Sequence, residues 1–231
     1  MMIGALGDVH GEFETVQQIM TRHADVPLWL QVGDVASNDG EYFTPIAPLY
    51  WIKGNNEDFD VVAASIAGRS PAPTLYYLPN GGPHAVGPWR VAALGGTFAP
   101  TRYHTSAGAL PPSRGRRGSG TSIKLGKSRD DKRRHFVRDE VLLCKSLTAI
   151  DLFMTHEAPR PFYPQGRRLD SGKTVINEVL TAMRPKLHLF GHHHEFTDSV
   201  RQGVRSIGLD IVTRSYLIID AQTFKCERLD T

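Results

Sequence analysis

Residues 2–11 read Met2-Ile3-Gly4-Ala5-Leu6-Gly7-Asp8-Val9-His10-Gly11, an apolar run that breaks into two glycines framing an aspartate and a histidine. The run is too short for a helix and is bounded by glycine, so it predicts a buried strand over Met2 to Leu6. Gly7 to Gly11 then predicts a polar turn. Phe13, Val16, Ile19 and Met20 recur near helical spacing and predict a helix from about Glu12 to Arg22. Strand, polar turn and helix form one βα unit, and in parallel α/β sheets ligands gather at the carboxyl ends of the strands.

The same grammar returns along the chain. Leu28 to Val32 reads as a second buried strand ending at Gly33-Asp34, and Leu49 to Ile52 as a third ending at Gly54-Asn55-Asn56-Glu57, with a helix running on to about Ala67. Thr74 to Leu78 and Arg90 to Leu94 predict a hairpin-like section around the Asn80-Gly81-Gly82-Pro83 turn. Helices are expected near Asp139 to Leu147 and over Thr174 to Met183. Strands are expected over Ile150 to Met154, ending at Thr155-His156, and over Leu187 to Phe190, ending at Gly191-His192-His193-His194. Four short β-like runs follow: Phe196 to Val200, Val204 to Leu209, Tyr216 to Ile219 and Phe224 to Arg228. With no internal repeat and no clean linker, the expectation is a single α/β domain over residues 1–231 with two sheets.

At 231 residues, 40% hydrophobic and 22% charged, the chain can bury a substantial core and has the composition of an ordinary globular protein. No apolar run approaches the ~18 residues of a membrane span, so no membrane partner is expected. Cys144 and Cys226 lie far apart, outside any paired-cysteine motif, and are expected to be free, in a cytoplasmic protein. The net charge of +3 is local in origin. Gly108 to Arg134 holds nine basic residues and two acids, leaving eighteen basic and twenty-two acidic residues elsewhere. This segment, about 108–134, is rich in Gly, Ser, Pro and Arg and is expected to be a flexible basic insertion. It is either a solvated loop or a collector of nucleic acid through phosphate contacts.

Five strand ends supply Asp8, His10, Asp34, Asn55, His156, His192 and His194. Carboxylate and amide oxygens mixed with imidazoles, and no thiolate, suit divalent ions such as manganese, iron or zinc. Asp8/His10 and His192/His194 are spaced i, i+2, so in extended chain each pair would grip one ion while Val9 and His193 point away. Seven ligands exceed one tetrahedral ion and match two ions sharing a carboxylate. Any one of these residues alone is more often a turn former. It is the concurrence of five strand ends, each beside a glycine or a turn, that points to a metal centre.

These blocks, Gly7-Asp8-Val9-His10-Gly11, Gly33-Asp34-Val35, Gly54-Asn55-Asn56-Glu57, His156 and Gly191-His192-His193-His194, resemble in order and spacing those of the calcineurin-like metallophosphoesterases. The resemblance implies a four-layer α/β/β/α sandwich of two mixed β-sheets flanked by helices. It implies that Asp8, His10 and His194 bind one metal, that Asn55, His156 and His192 bind the other, and that Asp34 bridges them. Two divalent ions are implied as cofactors, manganese first, with iron, zinc or nickel as alternatives. The implied activity is phosphoester hydrolysis by a metal-bridging hydroxide attacking phosphorus. In the runs Arg90 to Phe98, Ile150 to Arg160 and Ser206 to Asp210 the chain looks most like the RNA lariat debranching branch.

One position departs from the pattern. Family members with phosphatase activity usually carry a histidine after the block asparagine, where this chain has Asn56. An amide can donate a hydrogen bond to a phosphoryl oxygen but cannot supply a proton near neutral pH. His193, His84 or bound water would then fill that role, and a diester with a good leaving group would be the least affected substrate. The expected catalytic residues are therefore Asn56, Asp34 and His193. The expected substrate is a phosphodiester or nucleotide-like phosphate ester, the alternatives being a phosphomonoester or a catalytically weak scaffold. Glu57 and Glu157 each follow a ligand or near-ligand and are expected either to support the site or to start the next element.

Overall fold

The computed structural model describes residues 1–112 and 131–231, so most of the expected basic insertion lies outside the described residues. The first half of the chain runs β1 (Met2–Leu6), α1 (Phe13–Arg22), β2 (Trp29–Gln31), β3 (Leu49–Trp51), α2 (Phe59–Ile66), β4 (Leu75–Tyr77), β5 (Gly81–Val86) and β6 (Trp89–Leu94). The second half runs α3 (Arg138–Ser146), β7 (Leu152–Thr155), α4 (Thr174–Met183), β8 (Leu187–Phe190), β9 (Thr197–Arg201), β10 (Val204–Gly208), β11 (Ser215–Asp220) and β12 (Cys226–Asp230).

Two six-stranded sheets result, ordered β12-β11-β1-β2-β3-β4 and β5-β6-β7-β8-β10-β9. In the first, β1, β2, β3 and β4 are parallel, with Gly4 opposite Trp29 and Trp29 opposite Leu49; β11 returns antiparallel beside β1. In the second, β6, β7, β8 and β10 are parallel, with Val91 opposite Leu152 and Leu152 opposite Leu187. The parallel strands of both sheets are the ones whose ends carry the expected ligands.

Alternation of side chains along each strand builds three apolar layers. Ile3, Ala5, Leu30 and Val32 of the first sheet face Val91, Ala93, Leu152, Met154, Leu187 and Leu189 of the second, forming the central core. On the outer face of the first sheet, Leu6, Trp29 and Trp51 meet Val16, Ile19 and Met20 of α1 and Phe59 and Val62 of α2. On the outer face of the second, Ala92, Leu94 and Phe153 meet Val141 and Cys144 of α3 and Ile176, Val179 and Leu180 of α4. The architecture is the four-layer sandwich of two mixed sheets flanked by helices. Among the described residues no helix is long and apolar enough to cross a membrane. Cys144 is buried and free, and Cys226 is half-buried and free.

The middle of the chain differs from expectation. Thr74 to Leu78 and Arg90 to Leu94 do not form a hairpin: β4 closes one edge of the first sheet, while β6 lies inside the second. The hairpin is β5–β6, its turn at Gly87-Pro88, and Gly81-Gly82-Pro83 opens β5 rather than turning the chain. Proline and glycine are tolerated there because β5 is an edge strand with a register shift between Gly81 and His84.

Candidate metal centre

The carboxyl ends of β1, β2 and β3 deliver Asp8, His10, Asp34 and Asn55, and those of β7 and β8 deliver His156, His192 and His194. Both sheets thus contribute to one cluster. The loops fold tightly enough that four of these residues occupy the left-handed backbone region: His10 (φ 51°), Asp34 (φ 63°), His192 (φ 73°) and His194 (φ 51°). Such conformations cost energy in a non-glycine residue and concentrate at functional sites.

This geometry corrects the i, i+2 reading. His192 and His194 lie in a turn, not in extended chain, and diverge: the His192 Nδ1 is 3.2 Å from His156 Nε2, whereas the His194 Nε2 is 2.9 Å from Asp8 Oδ2 and 3.1 Å from His10 Nε2. Val9 does turn into the core, fully buried. His193 does not point clear of the cluster. Its ring stacks on Phe162 with centroids 4.7 Å apart, and it offers a ligand atom within 4.8 Å of those of His192 and Glu157.

Asp34 holds the centre. Its Oδ2 is 3.7 Å from His10 Nε2 on one side and 3.6 Å from His156 Nε2 on the other. Asp8, His10 and His194 form one group of donor atoms within 4.8 Å of one another, and Asp8, Asp34 and His156 form a second. The Asn55 Oδ1 is 3.2 Å from His156 Nε2. The His156 Nδ1 is 2.9 Å from the Val32 carbonyl, which can only accept, so Nδ1 carries a proton and Nε2 is the nitrogen turned toward the cluster.

Two glycines make room for the carboxylates. A Cβ on Gly54 would overlap Asp34 Oδ1, and one on Gly191 would come to 2.5 Å from Asp8 Oδ1. Asp8 also accepts the His192 backbone N–H at 3.0 Å, which pins the histidine-rich turn to the end of β1. Burial would raise the Asp8 pKa, yet hydrogen bonds from His10 and His194 outweigh it and hold the carboxyl well below the usual range. Burial would likewise lower the His156 pKa, but the Asp34 and Asp8 carboxylates raise it instead. Two almost fully buried carboxylates therefore lie against imidazoles, a field that favours positive charge at their midst.

The surrounding residues act on the loops. Glu57, fully buried, accepts N–H groups from Val35 (3.0 Å), Ala36 (3.2 Å) and Gly54 (3.3 Å), and the Tyr42 hydroxyl at 2.9 Å. It staples the loop after β2 to the loop after β3, and Asp58, not Glu57, caps α2. Burial and the neighbouring Asp34 push Glu57 up to about 7. Glu157 accepts the Phe98 N–H at 2.9 Å and lies 3.5 Å from Lys173 Nζ. Asn56 donates its backbone N–H to Asp34 Oδ1 at 2.7 Å and its side-chain amide to Asp34 Oδ2 at 3.0 Å. His84 lies on β5, its Nε2 bonded to the Pro79 carbonyl at 2.8 Å. Arg160 is paired with Asp170 at 2.7 Å, and Arg167 lines a cleft beside His192, His193 and His194.

Tyr42 and Arg214, whose Nη1 is 3.2 Å from the His194 carbonyl, went unread in the sequence. Both come from loops with no periodic signal, and only the fold brings them to the site. The donor set fits divalent cations: hard oxygens and neutral imidazole nitrogens on strained loops, with no thiolate among them.

Stacked mixed sheets with carboxylate–imidazole donor groups where their parallel strands end define the class, a candidate metal-binding α/β protein. A model of the calcineurin-like phosphoesterases matches residues 1–196, and the chain belongs to that family. No curated protein matches it. Among solved structures, one superposes with a TM-score of 0.69 at 11% identity, covering 99% of this chain and 98% of the other. The protein TT1561 of Thermus thermophilus superposes with a TM-score of 0.61 at 13% identity, covering 99% and 98%. A dimetal phosphatase from Danio rerio does so at 0.50 and 11% identity, covering 100% and 98%. At these identities the likeness is one of fold.

Proposed function

We propose that this chain is a dinuclear, metal-dependent phosphoesterase that favours phosphodiesters or nucleotide-like substrates. The observation that carries the reading is the position of Asp34, less than 4 Å from both His10 and His156 and so placed to be shared by two ions. Asp8, His10 and His194 would hold one ion, Asn55, His156 and His192 the other. When bound, two divalent ions, manganese foremost, with iron, zinc or nickel as alternatives, activate water and neutralise charge developing on the phosphoryl oxygens. The chain's own work is positional: Glu57 fixes the loops bearing Asp34 and Asn55, and Asn56 orients the Asp34 carboxylate.

The preference for diesters rests on Asn56. Its amide is engaged with Asp34 and has no proton to give a poor leaving group. The likeness of the runs 90–98, 150–160 and 206–210 to the lariat debranching branch supports a nucleic-acid-type diester. So does the rooting of the basic segment: the Arg133 and His135 carbonyls accept from Lys53 Nζ at 3.0 and 3.2 Å, two residues before Asn55.

Initial rates on bis(p-nitrophenyl) phosphate, with metal-stripped protein before and after Mn²⁺ is added and Asp34→Asn as control, test the reading. Turnover that needs metal and vanishes in the control is expected. Metal binding without turnover across Mn²⁺, Fe²⁺, Zn²⁺ and Ni²⁺ would instead establish a scaffold, the reading that Asn56 alone favours.

A further inference from the structure

Beside His192, His193 and His194 the surface opens into a cavity of about 770 Å³, lined also by Arg167, Arg214, Arg228 and Phe196. Its three cations come from three separate elements: the loop after β7, the loop after β10 and strand β12. None is neutralised in a way that fills its donor fork. Arg167 makes no ion pair among the described residues and shares the cavity wall with His193. Arg214 spends one nitrogen, Nη1, on the His194 carbonyl at 3.2 Å and Asp210 Oδ1 at 3.3 Å. The Arg228 guanidinium lies 4.7 Å over the Phe196 ring, and its acidic neighbour, the exposed Asp230, is 3.6 Å away.

The two acids at the wall are already engaged. Asp210 accepts the Ile211 N–H at 2.8 Å as well as Arg214, and Glu195 accepts the Gln165 N–H at 2.8 Å. Stacking on an aromatic face leaves the edge of a guanidinium, where its N–H groups point, free for an anion. The cavity is far larger than one phosphate needs and is continuous with the metal-centre residue His194 through Arg214.

We infer that this cavity is a second anion subsite, which takes a phosphate one nucleotide unit away from the phosphorus held at the metal centre. This deepens, and rests on, the phosphoesterase reading. The substrate is then nucleotide-like with at least two phosphates, and Arg167, Arg214 and Arg228 select it over esters with a single phosphate. Such a phosphate is the 3′ or 5′ end of a free nucleotide or the next link of a nucleic-acid chain.

Calorimetric titration of the Mn²⁺-loaded full chain with thymidine 3′,5′-bisphosphate and with thymidine 5′-monophosphate tests the subsite without turnover. The bisphosphate is expected to bind at least about tenfold tighter. Arg228→Gln and Arg167→Gln are each expected to remove about threefold or more of that gap, and Arg228→Lys, which keeps the charge, to remove less. Equal affinities for the two nucleotides, or a gap that survives both glutamine variants, overturns the subsite. A trinucleotide without terminal phosphates separates the sources: tighter binding than the bisphosphate assigns the phosphate to a nucleic-acid chain and weaker binding to a free nucleotide, and either supports the subsite. Hydrolysis of bis(p-nitrophenyl) phosphate is followed in the same samples. A bisphosphate preference without hydrolysis keeps the subsite and removes the phosphoesterase reading, whereas hydrolysis without preference removes the subsite alone.

Discussion

Asn56 and Asp34 are joined by two hydrogen bonds, one from the Asn56 backbone N–H and one from its side-chain amide, each to a different oxygen of the same carboxylate. The residue that replaces the family's usual histidine is therefore turned onto the proposed bridging ligand. It orients that ligand and brings no acid.

Asn56→His should accordingly change which leaving groups are tolerated. A proton donor at this place is expected to raise the rate on a phenyl phosphodiester by about a hundredfold, the lower end of what general acids contribute. The p-nitrophenyl analogue, whose leaving group needs no proton, should gain little. Parallel initial rates on the two esters check this, and equal gains on both would show that position 56 acts through Asp34 alone.

Gly54→Ala places a methyl group against Asp34 Oδ1. Its Cβ would also overlap the Asp34 backbone nitrogen, so the carboxylate and its loop must both shift, and Mn²⁺ affinity measured by calorimetry is expected to fall by about tenfold or more, the scale of losing a partner that orients a ligand. Unchanged far-UV circular dichroism would accompany it, since Gly54 lies in a loop rather than in the sheets.

Asp34→Asn should reduce bound metal from two ions per chain to one or none, as read by elemental analysis after dialysis. Retention of both ions would mean that Asp34 is not shared.

His188 gives a pH dependence independent of the metal. It is fully buried between Thr155 Oγ1 (2.9 Å) and Ser206 Oγ (3.1 Å), and burial pushes its pKa down to about 3 from 6.5. Above pH 6.5 the ring is neutral in both folded and unfolded chains and contributes no slope. Between pH 6.5 and 3 the unfolded chain takes up a proton that the folded chain refuses, so stability falls with acidification by up to about 1.4 kcal/mol per pH unit from this group. Urea unfolding midpoints across pH 7 to 4 should decline, and His188→Gln should flatten that decline.

The basic segment can be shortened without stretching the fold, because its described ends meet: the Lys132 N–H donates to the Pro111 carbonyl at 3.1 Å. Replacing residues 113–130 by a short Gly-Ser link is expected to reduce turnover of oligonucleotides and to flatten its salt dependence, with the rate on bis(p-nitrophenyl) phosphate unaffected. Unchanged oligonucleotide turnover would make the segment a bystander.

Much of this was legible in the chain. α4 and β8 fall where periodicity and the Arg184-Pro185 stop put them, and β1 where glycine ends its apolar run. All seven expected ligand residues converge because strand ends in parallel sheets point to one side. What was not legible lay in loops. The i, i+2 reading of His192 and His194 assumed extended chain, whereas φ values of 73° and 51° send the two rings to different partners. The Asn80 to Pro83 turn failed for a related reason, since nothing local distinguishes a turn from the start of an edge strand. Glu57 could be read either as a helix starter or as a support, and only the placement of Val35, Ala36 and Gly54 around its carboxylate decides for the second.

The cluster draws Asp8, His10, Asp34 and Asn55 from one sheet and His156, His192 and His194 from the other, across a seam that is otherwise apolar. Ions seated there would act as a fastener as well as a reagent: without them the Asp8 and Asp34 carboxylates of one sheet meet the other only through the rings of its histidines. Chelation should then loosen the molecule mechanically, lowering its melting temperature and opening the β1–β8 seam to hydrogen exchange before any helix frays. A variant unable to bind metal would have to hold the two sheets together at this end by other contacts.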